Sequence, residues 1–281
     1  MEEVKKFLKQ TRVNTLTIIG ANGFLGKSII DYAQNKSLSK WGINKIILIS
    51  RNKFSIKNSK RITIQYKVGD ISKIKRLSQS KYIIYAVNSN NNKSNFKAIK
   101  NFTHLIKKLS KDTKILFTSS GAVYGKVKDK KEYTRNKILI EKIFKNYAYQ
   151  GYNVSIARLF TFIGRRILSD KRYAISDFIN SGLYKKKILV KSNQIIYRSY
   201  MHSDDMVIWL MTILLQSNNR CPIYNVGSDE KIKLQSLAKI IGGILKKPVE
   251  IKRITNKKIE RYVPTIKKAK KELNLKINYK L

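Results

Sequence analysis

Apolar residues fall along this chain in two rhythms. Short, nearly continuous runs occur at Leu16–Ile19, Lys45–Ser50, Tyr82–Val87 and Lys114–Thr118, each followed by turn or polar residues. Runs of this length, rich in Ile and Leu, read as strands covered on both faces. Arg61–Tyr66 alternates instead, and Gly151–Arg158 supplies a sixth strand. Between the runs the spacing changes to that of helices: Phe24, Leu25, Ile29 and Ile30 follow the first strand, Phe96–Leu109 the fourth, and Tyr133–Tyr149 the fifth. A short amphipathic helix is expected ahead of them at Glu2–Gln10, with Val4, Phe7 and Leu8 on one side. Strands alternating with helices predict an α/β protein with a doubly wound parallel sheet. Beyond residue 159 the pattern loosens, although Ala174–Leu183, Met206–Leu215 and Leu234–Leu245 still read as helices. The expected division is a nucleotide-binding domain over 1–159 and a smaller region over 160–281.

The first strand ends in Gly20-Ala21-Asn22-Gly23-Phe24-Leu25-Gly26, with glycines at three-residue spacing before a helix. A glycine-rich turn is common in any α/β protein, but between a strand and a helix it points to a dinucleotide. The first glycine allows the tight turn, the second lets a pyrophosphate approach the backbone, and the third lets helix and sheet pack closely. The helix N-terminus then offers free N–H groups to phosphate. The end of the second strand bears on cofactor choice. An acid there would bond the ribose 2′-hydroxyl of NAD, and an arginine can take the 2′-phosphate of NADP. The chain reads Ser50-Arg51 with no acid nearby, so the expected cofactor is NAD(P), leaning to NADP; Arg51 is also one of many surface cations.

Composition changes this picture little. Hydrophobic residues make up 42% of the chain, enough for a core and too many for wholesale disorder. Met206–Leu215 is too short to span a bilayer, the first residues lack a basic-then-apolar signal pattern, and Cys221 is alone. The expected setting is therefore cytoplasmic, without a membrane partner. The net charge of +43 would suit a polyanion. Its lysines are spread through the whole chain without an RNA-binding or zinc-finger signature, so a solvated basic surface is the preferred reading. Nucleic acid would bind through charge alone, and the same charge would steer anionic substrates inward. His104 and His202 are isolated, which gives no metal site.

The strongest chemistry follows the fifth strand. Ser119-Ser120-Gly121-Ala122-Val123-Tyr124-Gly125 leads, thirteen residues after Ser120, to Tyr133-Thr134-Arg135-Asn136-Lys137. A spacing of i, i+4 puts Tyr133 and Lys137 on one helical face, where the cation lowers the phenol pKa and makes it a usable acid or base. Tyr-x-x-x-Lys also occurs at Tyr32/Lys36 and Tyr124/Lys128. Only Tyr133 opens a helix just after the Ser120 loop. Together with the glycine loop, Tyr197-Arg198-Ser199-Tyr200 and Tyr224-Asn225-Val226-Gly227, these motifs resemble the extended, nucleotide-sugar branch of the short-chain dehydrogenase/reductases, the NAD-dependent epimerase/dehydratase family. The resemblance runs from about residue 14 to 276.

It implies a Rossmann-like sheet and a catalytic set of Ser120, Tyr133 and Lys137. The implied cofactor contacts are Gly20, Asn22, Gly23, Phe24, Leu25, Gly26, Arg51, Asp70, Ile71, Ala86, Tyr133 and Lys137. Asp70 reads equally well as a turn or helix-cap aspartate. The implied substrate is a nucleotide-diphosphate sugar, touched by Ser120, by Thr161 in place of the family's usual asparagine, and by Arg198 at the diphosphate. The 4,6-dehydratases of the family carry Asp-Glu after the catalytic hydroxyl residue, and the related decarboxylases keep the glutamate. Here Gly121 and Ala122 stand there and cannot transfer protons. A C4 epimerase or 4-ketoreductase is the expected activity. A 4,6-dehydratase and a non-catalytic, RNA-binding or assembly member of the fold stay open, as does a homodimer.

Overall fold

The computed structural model describes residues 14–57, 59–88, 92–125, 132–167 and 173–281; the helix expected over Glu2–Gln10 lies outside them. In chain order come β1 (Thr15–Ile19), α1 (Phe24–Lys36), β2 (Lys45–Ser50), β3 (Thr63–Val68), β4 (Tyr82–Tyr85), α2 (Asn92–Ile106), β5 (Lys114–Ser120), α3 (Glu132–Tyr149) and β6 (Asn153–Leu159). There follow β7 (Phe162–Ile163), α4 (Ala174–Tyr184), β8 (Ile188–Val190), β9 (Gln194–Arg198), β10 (Met201–His202), α5 (Ser203–Leu215) and β11 (Ile223–Val226). The last elements are β12 (Ile232–Lys233), α6 (Leu234–Leu245), β13 (Val249–Ile251), β14 (Asn256–Tyr262) and α7 (Lys267–Leu273).

The main sheet has seven strands in the order β11-β6-β5-β4-β1-β2-β3. Its pairs β1/β2, β1/β4, β2/β3 and β4/β5 are parallel, so the chain is wound outwards in both directions from β1. This is the expected doubly wound, Rossmann-like α/β fold, with its switch of direction between β1 and β4. Every residue of β1 and of β4 is buried. Alternate positions, Ile19, Ile47, Ile49, Ile83, Tyr85, Ile115 and Phe117, form one core with the inward stripes of α2 and α3. Leu16, Ile18, Ile46, Leu48, Ile84 and Leu116 are as deeply buried on the other face. Burial on both faces explains the continuous apolar runs.

The chain forms two compact units. Of the described residues, the first holds those within 14–119, 125–157 and 210–223, and the second those within 120–124, 158–209 and 224–281. In the second unit short strands pair as β12-β9-β14, β10-β7 and β13-β8, and α4 packs on α6. Asp205, fully buried near the start of α5, accepts hydrogen bonds from the Asn278 and Tyr279 backbones and the Asn278 amide. The Trp209 indole donates to the Lys276 carbonyl at 3.0 Å. These bonds fasten the last residues of the chain to α5.

Two differences from the sequence pattern have simple causes. β3 begins and ends two residues later than expected, because it is an edge strand with half of its residues exposed and little hydrophobic contrast. α2 begins at Asn92, not Phe96; its first turn, Asn-Lys-Ser-Asn, is polar and carries no apolar period.

In the first unit Phe144 of α3 stacks on Phe117 of β5 at 4.7 Å, with Tyr85 and Phe102 within about 6 Å of it. Phe144 is fully buried. Phe144→Ala should therefore cost about 3–5 kcal/mol of stability, the usual range for a buried aromatic truncated to alanine. Chemical denaturation measures it; a loss below about 1 kcal/mol would mean that this cluster is not the unit's core.

Candidate active site

The glycine loop stands at the switch point of the sheet. Gly20 has φ +89°, and a Cβ there would come within 2.7 Å of the Ala86 carbonyl oxygen at the end of β4. The Ala86 N–H bonds the Ile19 carbonyl at 2.8 Å, which locks the two strand ends together. A Cβ on Gly26 would lie 2.3 Å from the Ala21 oxygen, so α1 can approach the turn only without a side chain there. α1 starts at Phe24 with no side-chain cap and no acid in its first turn. The start of α1 thus presents the partial positive charge of a helix N-terminus with no side-chain cap and no acid against it. Leu25 and Gly26 are buried; Asn22 and Gly23 are exposed at the turn.

Next along the sheet edge, Ser50 closes β2 and donates to the Asn52 carbonyl, leaving Arg51 exposed. Asp70 follows β3 and caps a single helical turn, its Oδ1 accepting the Ser72 N–H at 2.8 Å. That backbone bond holds its carboxyl below the ordinary 3.8 against partial burial, with the Ser72 hydroxyl, Arg51 and Lys73 pulling the same way. Ile71 is buried, and the Asn101 amide bonds its carbonyl at 2.7 Å.

α3 supplies the acid–base candidates. Its buried stripe reads Thr134, Lys137, Ile140, Glu141, Phe144 and Ala148, so a lysine and a glutamate, with Thr134, share a buried row with apolar residues. Lys137 is 6% exposed and donates to the Thr118 carbonyl of β5 at 3.1 Å. Its ammonium lies 5.8 Å from the centre of the Tyr133 ring, which is 37% exposed. Burial brings the Lys137 pKa down to about 8, with Glu141 opposing the fall. Glu141, 4% exposed, accepts from Ser119 Oγ at 2.6 Å. Sequence reading missed Glu141; its place in phase with Ile140 and Phe144 was the signal that it turns inward.

In the second unit Ser120 is the last residue of β5, and its Oγ lies 3.4 Å from the Tyr262 hydroxyl. Tyr262, also missed as a site residue, packs on Phe160 with ring centres 4.9 Å apart. Gly121 faces the Phe160 ring so closely that a Cβ would come within 2.4 Å of it. Thr161 is buried, and its carbonyl accepts the Met201 N–H at 3.1 Å. Arg198 makes an ion pair with Glu260 and donates to the Tyr197 carbonyl at 3.0 Å. The competing tyrosines are otherwise engaged. Tyr32 is buried against Trp41, and Tyr124 donates to Asn225 Oδ1 at 2.9 Å.

The profile of the NAD dependent epimerase/dehydratase family matches residues 16–227. The chain belongs to that family. Among curated members, UDP-glucuronic acid decarboxylase 6 of Arabidopsis thaliana is 30% identical over 152 residues, 53% of this chain and 44% of that protein. The chain thus spans less than half the length of the curated relatives it matches. dTDP-glucose 4,6-dehydratase from Bacillus anthracis, solved with NAD, superposes with a TM-score of 0.75 and 17% identity, over 95% of this chain and 92% of that one. UDP-N-acetylglucosamine 4-epimerase from Bacillus cereus gives 0.72 and 17% over the same shares. At such identities these two likenesses establish the fold alone. No described helix is long and apolar enough to cross a membrane.

The Asp70 geometry sets a pH test. A carboxyl whose folded pKa is depressed contributes stability that is complete above 3.8 and is lost as pH falls through the lower folded value. Asp70→Asn keeps an acceptor for the Ser72 N–H but removes the charge. Its acid-denaturation curve should be flatter than the wild-type curve below about pH 4, where the wild type loses this contribution. Parallel curves would mean that the carboxylate adds nothing.

Proposed function

We propose that this chain oxidises or reduces a nucleotide-diphosphate sugar at C4, as a 4-epimerase or 4-ketoreductase, with Ser120, Tyr133 and Lys137 as its catalytic set. The observation that carries the proposal is the buried Lys137 ammonium held under the ring of a part-exposed tyrosine. A cation there stabilises the phenolate, so Tyr133 can take the sugar hydroxyl proton and return it near neutral pH. Ser120 Oγ would hold the same oxygen. Arg198 would bind the diphosphate, exchanging Glu260 for it, and Thr161 would sit beside the sugar.

The residues present fit a dinucleotide. The Gly20 backbone meets Ala86 with no side chain between them, and the uncapped start of α1 invites a pyrophosphate. Gly20, Asn22, Gly23, Phe24, Leu25 and Gly26 would hold it, with Asp70, Ile71 and Ala86 around the adenosine half and Lys137 on the nicotinamide ribose. When bound, the nicotinamide carries the hydride. Arg51 is exposed at the end of β2, near enough to Asp70 to act on its charge, where a 2′-phosphate would lie. We therefore favour NADP(H), and with it a reductase working in the cytoplasm.

Similarity to the plant decarboxylases favours a second reading, decarboxylation of UDP-glucuronic acid. Against both this and dehydration stands the lack of an acid at Gly121 and Ala122, and at Gly121, where the dehydratases carry their aspartate, the Phe160 ring packs where a side chain would lie. The two readings separate on incubation with UDP-glucose, UDP-N-acetylglucosamine, their 4-keto forms and UDP-glucuronic acid, followed by NMR of the products. A 4-epimer or an NADPH-dependent 4-reduction is expected. Release of CO2, or a 4-keto-6-deoxy product, overturns the proposal.

Two variants test its parts. Tyr133→Phe keeps the ring but loses the proton-exchanging group, so turnover should fall by about 10²–10⁴ with cofactor affinity nearly unchanged. Tyr124→Phe, measured beside it, should stay close to wild type; equal damage would move the assignment to Tyr124. Titration calorimetry should give tighter binding of NADPH than NADH, with the gap narrowing in Arg51→Ala. A wild-type preference for NADH would remove the case for a reductase.

A further inference from the structure

We infer that Glu141 is a positioning residue for the Tyr133–Lys137 pair: its buried carboxylate, fixed by Ser119, keeps the Lys137 amine protonated beneath the tyrosine. This inference rests on the acid–base reading proposed above. Lys137 and Glu141 are one turn apart on α3, both facing inward. Each is tied to β5 at successive residues: Lys137 donates to the Thr118 carbonyl, and Glu141 accepts from the Ser119 hydroxyl. The two bonds pin one helical turn to one strand end, which fixes the height of the ammonium against the Tyr133 ring.

The charges explain why an acid belongs there. A buried lysine with only a carbonyl and the Phe117 ring, 5.2 Å from its nitrogen, would drift to the neutral amine. A neutral amine still donates a hydrogen bond but does not stabilise a phenolate. Glu141 acts against that drift, and the balance leaves Lys137 with a pKa of about 8, mostly charged at neutral pH. Among the described residues, Tyr133 lies beside Lys137, and Cys221, from the segment before β11, feels both Glu141 and Lys145. The Cys221 thiol is pushed up to about 12 by burial, against Lys145 and with Glu141, so it carries no charge here. On β5 the facing residues are Phe117, Thr118 and Ser119, none of them a cation or carboxylate. Glu141 is thus the group that supplies the opposing charge.

The test is Glu141→Gln, which keeps shape and an acceptor for Ser119 but removes the charge, beside Glu141→Asp, which keeps the charge on a shorter arm. The lysine ε-carbons are labelled with 13C, the Lys137 signal is identified by its loss in Lys137→Met, and its midpoint is followed by NMR. A fall of the midpoint by about one pH unit or more is expected in Glu141→Gln, with Glu141→Asp staying close to wild type. The alkaline limb of the pH–kcat profile should move down with it, costing about fivefold or more in turnover at pH 8 and much less at pH 6. An unchanged midpoint in Glu141→Gln overturns the inference, as does an equal shift in both variants. So does a loss of turnover by one factor at all pH values, which is what a purely structural role would give. Should Glu141→Gln not fold, a Glu141→Asp midpoint about one unit below wild type overturns it too. The NMR titration does not depend on turnover. If it shifts as expected while Tyr133→Phe remains fully active, the acid–base reading fails and the electrostatic inference stands.

Discussion

The first unit depends on one close approach, that of the Gly20 backbone to the Ala86 carbonyl across the β1/β4 switch. Both strands are buried on both faces, so neither end can move aside to admit a side chain. A glycine at φ +89° is the one residue that satisfies the space and the backbone together. Where strand order reverses, the loops leave the sheet in opposite directions and open a crevice at its carboxyl edge. α1 begins at the side of that crevice without a side-chain cap. Fold and proposed anion site are here the same constraint, since any side chain that filled the turn would also separate the strands.

The inward stripe of α3 poses the opposite problem, that of polar groups inside a core. Thr134, Lys137 and Glu141 occupy positions where leucine or isoleucine would stabilise the unit more simply. Their cost is limited because the polar ends have partners: the lysine has a carbonyl and the glutamate a hydroxyl, both from β5. One turn further on, Phe144 stacks on Phe117 and restores an apolar seam between the same helix and strand. The seam sets the register of α3 on β5, and the register places the lysine. Core packing and the proposed chemistry are therefore linked along a single helix face.

How much of this could be read from the chain follows from the same physics. β1, β2, β4 and β5 announce themselves because a strand covered on both faces must be apolar at every position. β5 nevertheless runs on through Ser119 and Ser120, which the hydrophobic pattern could not include, since hydroxyls carry no such signal. Strands of two or three residues, such as β7, β10 and β12, are too short to set up an alternation, and they make up much of the second unit. Ser120, Tyr133, Lys137 and Arg198 came to notice through motifs. Glu141, Glu260 and Tyr262 are not among the residues that those motifs single out. Glu141 was hidden by its charge, because a glutamate in a lysine-rich helix reads as solvated until its phase with Ile140 and Phe144 is compared. Glu260 and Tyr262 needed the pairing of β14 with β9, which brings Tyr262 opposite Arg198 in register.

The relatives named above catalyse three reactions, and their names alone do not choose among them for this chain. The choice rests on the residues after Ser120. An acid at Gly121 would need the place now taken by the Phe160 ring, which in turn is packed on Tyr262. Restoring a dehydratase-type carboxylate would therefore mean moving Phe160, and with it the tyrosine whose hydroxyl lies beside Ser120. Gly227 presses on Phe160 from another direction, where a Cβ would come within 2.9 Å of the Phe160 Cβ. Phe160 is thus hemmed in by Gly121, Gly227 and Tyr262, and a single substitution at Gly121 cannot convert the site. The absence of an acid at Gly121 is built into the packing around it, and that packing is what supports the proposed proton and hydride exchange at C4 over a reaction that must also break a bond at C5 or C6.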